Sequence, residues 1–515
     1  MAIKIIMLAA FFTVMIAIGF ICRKKSSNNV DGFVLGGRSV GAWMTAFAYG
    51  TSYFSAVIFI GYAGQFGWKF GVASTWIGIG NAFLGSLLAW LVLGRRTRIM
   101  TNHLKSATMP QFLGSRYGSK SLRTGAAIIV FIFMIPYTAS LYNGLSRLFE
   151  MAFDISYVWC IVAMALLTCI YVVAGGYMAT VVNDFIQGII MLIGIAAVVV
   201  AVLNVNGGLT GSLTSLAKVE GTVNGEVVPG IFSSFFGPDK TSLLGVIILT
   251  SLGTWGLPQM TQKFYAIKNE RAITKGIVVS TVFAIIVAGG CYFLGGFGRI
   301  FFKNEEEMMA SGKFDAIIPK MLENLPDILI GIVIVLVLSA SMSTLSSLVM
   351  TSSSTITLDV IKPAKKDMSE KAQISIIRVF IAIFVAISAI IAVYQFNSAN
   401  TFIAQMMGIS WGAMAGAFLA PYIYALYWKK VTVPAVWVNF IFAVGVMTAN
   451  MFAKASFPTI LQSPVNCGAF VMISGLVIVP LVSVFTKKPD SDLVENAFSC
   501  YTETITVPAK DSLGE

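Results

Sequence analysis

The chain has 515 residues, of which 57% are hydrophobic and only 11% charged, and its mean hydropathy is +0.84. Soluble domains carry about 25% charged residues, so this composition excludes a soluble globular protein and predicts an all-α polytopic membrane protein. The net charge of +12 would indicate nucleic acid as a partner of a soluble protein. In a membrane protein basic loops account for such a charge. The expected partner is therefore the lipid bilayer, and no nucleic acid is expected.

Apolar segments long enough to cross the ~30 Å hydrocarbon core recur along the whole chain. Their spacing predicts thirteen transmembrane helices, joined mostly by short loops. The predicted spans are 3–22, 40–64, 72–94, 124–150, 156–176, 184–204, 241–262, 273–301, 327–357, 374–396, 401–428, 431–453 and 465–486.

Lysine and arginine are divided unevenly between alternate loops. The loops on one side hold 24 of these residues and the loops on the other side hold 8. Basic loops remain in the cytoplasm, so we expect a multi-pass protein of the plasma (inner) membrane with its N-terminus outside and its C-terminus inside. The polar tail after Lys488 is expected to be disordered.

The second span has an irregular middle. The stretch "YGTSYFSA" (49–56) brings Gly50, Tyr53 and several hydroxyl groups to mid-membrane depth. Glycine costs a helix about 1 kcal/mol, and serine and threonine compete for backbone hydrogen bonds. Either the helix unwinds here and exposes carbonyl oxygens, or it stays continuous and packs closely through its small residues.

The sixth span begins with an acidic residue. Asp184 is expected at its inner end, and Gln187 follows one turn later. A carboxylate at this position either caps the helix N-terminus or supplies a charged ligand for a cation. Both interpretations are open.

The seventh span contains a proline. Pro258 interrupts it, with Thr254, Trp255, Gln259 and Gln262 close by. A proline removes a backbone donor and kinks or breaks a helix. A full break would leave free carbonyl groups and an indole near mid-depth, whereas a kink would only redirect the helix.

The ninth span carries a column of hydroxyl groups. Twelve of the nineteen residues in "SASMSTLSSLVMTSSSTIT" (339–357) are serine or threonine. Ser343, Ser346 and Ser347 share one helix face, and Thr344 borders it. Hydroxyls are hard, uncharged ligands suited to a small monovalent cation. The alternative is ordinary helix–helix hydrogen bonding, worth about 0.6 kcal/mol per contact.

The interrupted second and seventh spans lie five helices apart. This spacing is typical of inverted repeats in secondary transporters, each of which begins with a discontinuous helix. The expected organisation is a first helix with an inner loop (1–39), a first repeat (40–204), an outer loop (205–240), a second repeat (241–428), two peripheral helices (429–488) and a cytoplasmic tail (489–515).

Several stretches resemble the sodium/solute symporter family, and most of all its sodium/proline symporter branch. They are "FVLGGRSVGAW", "AYGTSYFSA", "SLYNGLSRLFE", "AGGYMATVVNDFIQG", "GLPQMTQKF", "SMSTLSSLVMTSSSTITLDVI" and "GAMAGAFLAPYIYALYWKK". The resemblance implies a leucine-transporter-type 5+5 inverted repeat with about thirteen helices, which agrees with the count of spans. It also implies Na⁺-coupled symport by alternating access.

The resemblance implies two groups of sodium ligands. The first site would use the carbonyl groups and hydroxyls of Thr51, Phe54, Ala340, Ser343 and Thr344. A possible second site, which some relatives have, would use Asp184, Ser343, Ser346 and Ser347. One or two coupling ions are therefore expected, and no organic cofactor.

The solute side departs from the proline branch. That branch has an aspartate where this chain has Tyr53, a tryptophan at Thr250 and a tyrosine at Thr254, whereas Tyr137 and Pro258 match it. The implied substrate is therefore a small polar organic solute, such as an amino acid or a carboxylate, rather than proline in particular.

A sugar or a sialic acid is the alternative solute, because Asn81 lies where sugar and sialic-acid relatives carry glutamine. A proton-coupled or exchange transporter on the same scaffold is a further alternative. An enzyme is not expected, since the sequence has no nucleophile–base pairing or phosphate loop, and the protein is expected to function as a monomer. The residues expected to bind the solute are Thr51, Tyr53, Ser55, Asn81, Tyr137, Thr254 and Trp255.

Overall fold

The computed structural model describes residues 2–26, 29–153, 155–223, 225–311, 313–365, 367–398 and 403–502. These residues form an almost entirely helical protein, as the composition predicts. The last part of the expected tail, 503–515, lies outside the described residues, as do 399–402, which include the first two residues of the eleventh predicted span.

The described residues of the first part of the chain, up to 205, form nine α-helices. They are α1 (Ala2–Ser26), α2 (Val30–Leu35), α3 (Ala42–Tyr53), α4 (Ala63–Phe70), α5 (Thr75–Gly80), α6 (Arg95–His103), α7 (Met109–Tyr117), α8 (Lys120–Phe153) and α9 (Tyr157–Val205). Shorter 3₁₀ or π-helical segments connect some of them, at Gly36–Arg38, Val57–Tyr62, Gly71–Ser74, Asn81–Leu87 and Trp90–Gly94.

After residue 205, the part of the chain that the structure describes forms two paired β-strands and thirteen further helices. They are α10 (Gly208–Leu216), β1 (Glu220–Val223), β2 (Glu226–Pro229), α11 (Lys240–Gly256), α12 (Pro258–Ala266), α13 (Glu270–Gly295), α14 (Glu305–Ala310), α15 (Ile317–Leu322), α16 (Asp327–Thr355), α17 (Lys362–Ala364), α18 (Glu370–Ser398), α19 (Ile403–Tyr427), α20 (Val433–Phe452), α21 (Pro464–Phe485) and α22 (Ser491–Ser499). Short 3₁₀ or π-helical turns lie at Ile231–Ser233, Gly298–Phe301, Lys313–Ala316, Ile356–Ile361, Lys454–Ser456 and Thr459–Leu461. The two strands are antiparallel, with Glu220 opposite Pro229.

Ten helical segments of the described residues are long and apolar enough to cross a membrane, or eleven if α11 and α12 are taken as one bent span. The prediction of thirteen stays a prediction, because two predicted pairs are each joined in one helical segment. Val57–His103 includes the third predicted span, and Tyr157–Val205 includes the fifth and the sixth. Within α9, Gly176 has φ 57° and ψ −157°, a non-helical conformation open to glycine, so α9 consists of two helices that meet at a kink there.

Both predicted interruptions are real breaks. Helix α3 ends at Tyr53, and Phe54 is extended, with φ −92° and ψ 128°, before helical turns resume at Val57. Leu257 is extended in the same way between α11 and α12, with φ −84° and ψ 122°, and Pro258 is the first residue of α12. Proline suits this position because the first helical N–H has no acceptor in any case.

The hydroxyl helix α16 lies at the centre of the bundle. It packs against α1, α3, α8 and α9, and every residue of the column from Ser339 to Thr355 is buried. Its contact with α3 places the break of the second span beside Ser343 and Thr344, in the first half of the column. Helix α13 packs against the other side of α3.

The expected disorder of the tail is wrong for residues 491–499, which form α22. One face of this helix is apolar and buried, through Val494, Ala497 and Phe498. The guanidinium of Arg116 lies 4.8 Å from the centre of the Phe498 ring, and such a cation–π contact stabilises docking. The polar composition of the tail concealed this short amphipathic face.

Close backbone contact holds α13 against α4. A methyl group added at Gly295 would lie 2.0 Å from the carbonyl oxygen of Ala63, so the two helices must separate to accept it. Gly295→Ala is therefore expected to destabilise the protein by about 1–3 kcal/mol, seen as a lower melting temperature in detergent. Gly289→Ala in the same helix is the matched control, because open space surrounds the added methyl group. Equal melting temperatures for the two variants would contradict this account of the packing.

Candidate cation and solute site

The break in the second span releases backbone carbonyl groups into the protein core. The last carbonyls of a helix have no intrahelical partner, and here those of Thr51, Ser52 and Phe54 face α16 across the break. The Thr344 hydroxyl lies 3.3 Å from the Thr51 oxygen, 3.4 Å from Ser52 and 3.2 Å from Phe54. It also lies 3.1 Å from the Ala340 carbonyl in its own helix.

Ser343 completes this group of oxygen atoms. Its hydroxyl lies 3.0 Å from the Thr51 carbonyl oxygen and 3.0 Å from that of Ala340. The break therefore brings together all five residues predicted for the first sodium site, through three carbonyl oxygens and two hydroxyls. Each of these residues is at most 1% exposed.

The group has more acceptors than donors. Each hydroxyl carries one proton, whereas a carbonyl oxygen offers two lone pairs, so Thr344 can donate to only one of the four carbonyl oxygens within 3.4 Å of its hydroxyl. Most of the carbonyl lone pairs in this group are therefore left without a hydroxyl proton to accept. Hard, uncharged oxygens in this arrangement suit a small monovalent cation.

An aromatic cluster lies next to the break. The ring centre of Tyr53 lies 6.0 Å from that of Trp411. The ring centre of Tyr137 lies 5.9 Å from that of Trp411, and these two rings meet edge to face. Trp411, in α19, was not among the predicted solute residues. The small residues around it in "GISWGAMAG" leave room for a large ring in a close-packed helix, and this signal could have indicated it.

A narrow cavity adjoins Tyr53. It is lined by Tyr49, Gly50, Tyr53, Asn81, Gly85, Ser86, Thr254, Ser280 and Ala284. The structure thus brings Tyr53, Asn81 and Thr254 to one space, as predicted from the resemblance. None of the described residues that line it is charged.

Hydrogen bonds tie α11 to the segment that carries Asn81. The Asn81 side-chain oxygen accepts from Thr250 at 2.8 Å and from Ser251 at 3.1 Å. Thr254 donates to the Gly85 carbonyl at 3.0 Å, and the Trp255 indole donates to Leu84 at 2.9 Å. The polar groups of Thr254 and Trp255 therefore hold two helices together at the edge of the cavity.

A buried ion pair lies one turn further along α16. Asp184 is fully buried two turns beyond the bend of α9, so it does not cap a helix, and its Oδ2 lies 3.4 Å from the ammonium of Lys263. The same ammonium donates to the Ser347 hydroxyl at 3.0 Å, and that hydroxyl lies 2.8 Å from the hydroxyl of Ser52. The chain of contacts links α9, α12, α16 and α3.

The four residues predicted for a second sodium site are therefore divided. Asp184 and Ser347 both contact Lys263. Ser343 belongs to the first group of oxygens, and Ser346 donates to the Ser343 carbonyl of its own helix at 2.9 Å. The predicted seventh span ends at residue 262 and so places Lys263 in a basic loop, but the structure buries this lysine, which is 1% exposed. Its spacing from Gln259, one turn earlier in the helix that Pro258 begins, could have indicated an inward-facing position.

Two broken helices in a helical membrane bundle, one of them beside a group of converging oxygen atoms, are typical of a secondary transporter rather than an enzyme. A family model described as "Sodium:solute symporter family" matches residues 33–455. The chain belongs to this family, whose members couple the movement of a solute to sodium.

Similar proteins agree with this assignment. The chain is 29% identical to a sodium/proline symporter 2 of Staphylococcus saprophyticus over 82% of its own length and 81% of the relative's. It is also 29% identical to a sodium/proline symporter of Staphylococcus aureus, over 83% and 81% of the two chains. A solved Na⁺-coupled sialic acid symporter in a substrate-bound outward-open state has the same fold, with a TM-score of 0.73 at 15% identity, covering 95% of this chain and 99% of the other.

Proposed function

We propose that this protein imports a small polar organic solute by alternating access, driven by Na⁺ bound between the break of the second span and α16. The observation that carries the proposal is the convergence of the Thr51, Phe54 and Ala340 carbonyls on the hydroxyls of Ser343 and Thr344. The ligands come from two helices, so a bound ion ties the broken helix to the hydroxyl helix.

The same broken helix carries the solute side. Tyr53 and Ser55 lie at the break, and Tyr53 also lines the neutral cavity with Asn81. Ion binding fixes the backbone at Thr51 and Phe54, and thereby the position of Tyr53 between them. Each Na⁺ gains about 2.3 kcal/mol per 100 mV of membrane potential when it enters the cell, which is free energy available for accumulating the solute.

The preferred solute is an amino acid or a similar small zwitterion. The relatives named as sodium/proline symporters favour this class, and the uncharged residues at the break, Tyr53 and Ser55, suit a solute without net charge better than an anion. Thr51, Ser55, Tyr137, Thr254 and Trp255 complete the proposed solute residues. A small carboxylate, or a sugar or sialic acid like the substrate of the structural neighbour, is the second candidate.

The proposed topology follows the distribution of basic residues. The N-terminus is outside and the C-terminus cytoplasmic, in the plasma (inner) membrane. Residues 40–204 and 241–428 form the two repeats that rock against each other, and 1–39 and 429–488 lie outside them. The monomer is the transporting unit.

The test is a two-stage solute screen on the purified protein. Amino acids, carboxylates, sugars and sialic acids are each added in NaCl, KCl or choline chloride, and the melting temperature is recorded. A solute that stabilises the protein only in Na⁺ is then tested for uptake into proteoliposomes. Thr344→Val, which removes one hydroxyl from the cation site, is expected to abolish both the Na⁺-dependent stabilisation by the solute and Na⁺-driven uptake. Thr357→Val, at the far end of the same column, is the matched control and keeps both.

Uptake of equal rate in K⁺ or choline would overturn sodium coupling. Uptake driven by an inward proton gradient without Na⁺ would establish the proton-coupled alternative instead. If the stabilising solute is a sugar or a sialic acid, the coupling stands and the amino-acid assignment fails.

A further inference from the structure

We infer that the Lys263 ammonium is a built-in cation that takes the place of a second sodium ion, so that this protein binds one Na⁺ per chain. This inference rests on the proposed sodium coupling and concerns the number of ions. It is drawn from the side chains around Asp184, where some relatives of this chain are expected to hold a second ion.

The ammonium has three favourable neighbours. Lys263 donates to Asp184 Oδ2 at 3.4 Å and to the Ser347 hydroxyl at 3.0 Å, and it lies 5.4 Å from the centre of the Tyr177 ring. An ammonium group has three protons to donate, and an aromatic face attracts a cation. The surroundings of Lys263 are thus those of a coordinated monovalent cation.

Because this site is buried, its net charge decides whether it can accept a further cation. Asp184 and Lys263 are 0% and 1% exposed, and a charge so far from water is tolerated only beside a partner of opposite sign. Asp184 has one ion-pair partner among the described residues, which is Lys263. One carboxylate and one ammonium give a neutral site, and an added Na⁺ would leave a net positive charge in the protein core.

One hydroxyl that a second ion would need is also in use. Ser347 accepts from Lys263 while it contacts Ser52, so the free Asp184 Oδ1 has no neighbouring serine of this group that is open to an ion without displacing the ammonium. The tethered cation connects α9 and α3 of the proposed first repeat with α12 and α16 of the second. It makes this link in every transport cycle without being released, so only the Na⁺ at Thr344 is driven by the gradient.

The experiment counts bound ions without a solute. Purified protein in detergent is equilibrated with ²²Na⁺, and the ions bound per chain are determined at saturation. One Na⁺ is expected for the wild type and for Lys263→Arg. Two are expected for Lys263→Ala, because removing the ammonium frees Asp184 and Ser347 for an ion. The double variant Lys263→Ala with Ser347→Ala is expected to bind this second Na⁺ at least tenfold more weakly than Lys263→Ala does.

A stability measurement accompanies the count. In Lys263→Ala the unpaired Asp184 carboxylate needs a cation. The melting temperature in NaCl minus that in choline chloride is therefore expected to be larger for this variant than for the wild type. Two ions in the wild type would overturn the inference, and this outcome does not depend on whether the variant folds. One ion in Lys263→Ala, or an equal effect of NaCl on both proteins, would also overturn it while leaving sodium coupling intact. No bound ion in the wild type would instead remove the sodium site and the proposed function with it.

Discussion

Replacing Ser343 with alanine is expected to raise the Na⁺ concentration at half-saturation by roughly 10- to 100-fold. The serine hydroxyl lies 3.0 Å from the carbonyl oxygens of both Thr51 and Ala340, so it is one of five oxygens that surround the proposed ion. The loss of one bond to a charged group costs about 1.5–3 kcal/mol, and each 1.4 kcal/mol corresponds to a factor of ten. The measurement is ²²Na⁺ binding to the purified protein.

Ser341→Ala is the matched control for this variant. Ser341 is buried in the same helix, and its hydroxyl has no hydrogen-bond partner among the described residues. The same loss of one oxygen atom is therefore expected to leave Na⁺ binding unchanged. If Ser341→Ala weakens binding as much as Ser343→Ala does, the effect comes from the packing of α16, and Ser343 is not a ligand.

Asp184→Asn is expected to destabilise the protein more than Gly295→Ala or Ser343→Ala does. It leaves the Lys263 ammonium buried without its counter-charge, and breaking a buried pair in this way costs about 3–5 kcal/mol. The double variant Asp184→Asn with Lys263→Met removes both charges and is expected to recover most of the loss. The measurements are the melting temperature in detergent and the yield of folded protein.

The control for this prediction is a pair at the surface. Lys320 and Glu323 lie 2.8 Å apart, with side chains 40% and 52% exposed, and Glu323→Gln is expected to change stability by no more than about 1 kcal/mol because water screens such pairs. NaCl is not expected to rescue Asp184→Asn, since the cation is already present there as Lys263. A double variant no more stable than Asp184→Asn would show that Asp184 matters for packing rather than for charge.

Local sequence indicated both places where a helix could break, because Gly50 with its neighbouring hydroxyl residues, and Pro258, disfavour a continuous helix wherever these segments are placed. It left a continuous second span and a merely kinked seventh span open, and both alternatives are wrong because Phe54 and Leu257 are extended. The resemblance implied five residues for a first sodium site, and the structure brings these residues together because α3 and α16 pack side by side.

Tertiary structure alone decided the surroundings of Asp184. Lys263 is 79 residues further along the chain, and a lysine after a proline near the end of an apolar segment looks the same in sequence whether it enters a loop or the core. The rotation of α16 determines that Ser347 faces this lysine and that Ser346 bonds within its own helix. Helical periodicity places serines on a common face, but it does not say which neighbouring helix that face meets.

The sequence by itself determined that this protein is a helical membrane protein. It also indicated where the second and seventh spans could break and which helix carries the hydroxyl column, because hydrophobicity and backbone propensity act over a few residues. The structure decided which charges and rings meet in the core. Trp411 between Tyr53 and Tyr137, and Lys263 between Asp184 and Ser347, are contacts between helices far apart in sequence. Such contacts depend on how whole helices pack, and that packing also decides how many places for a cation remain open to sodium.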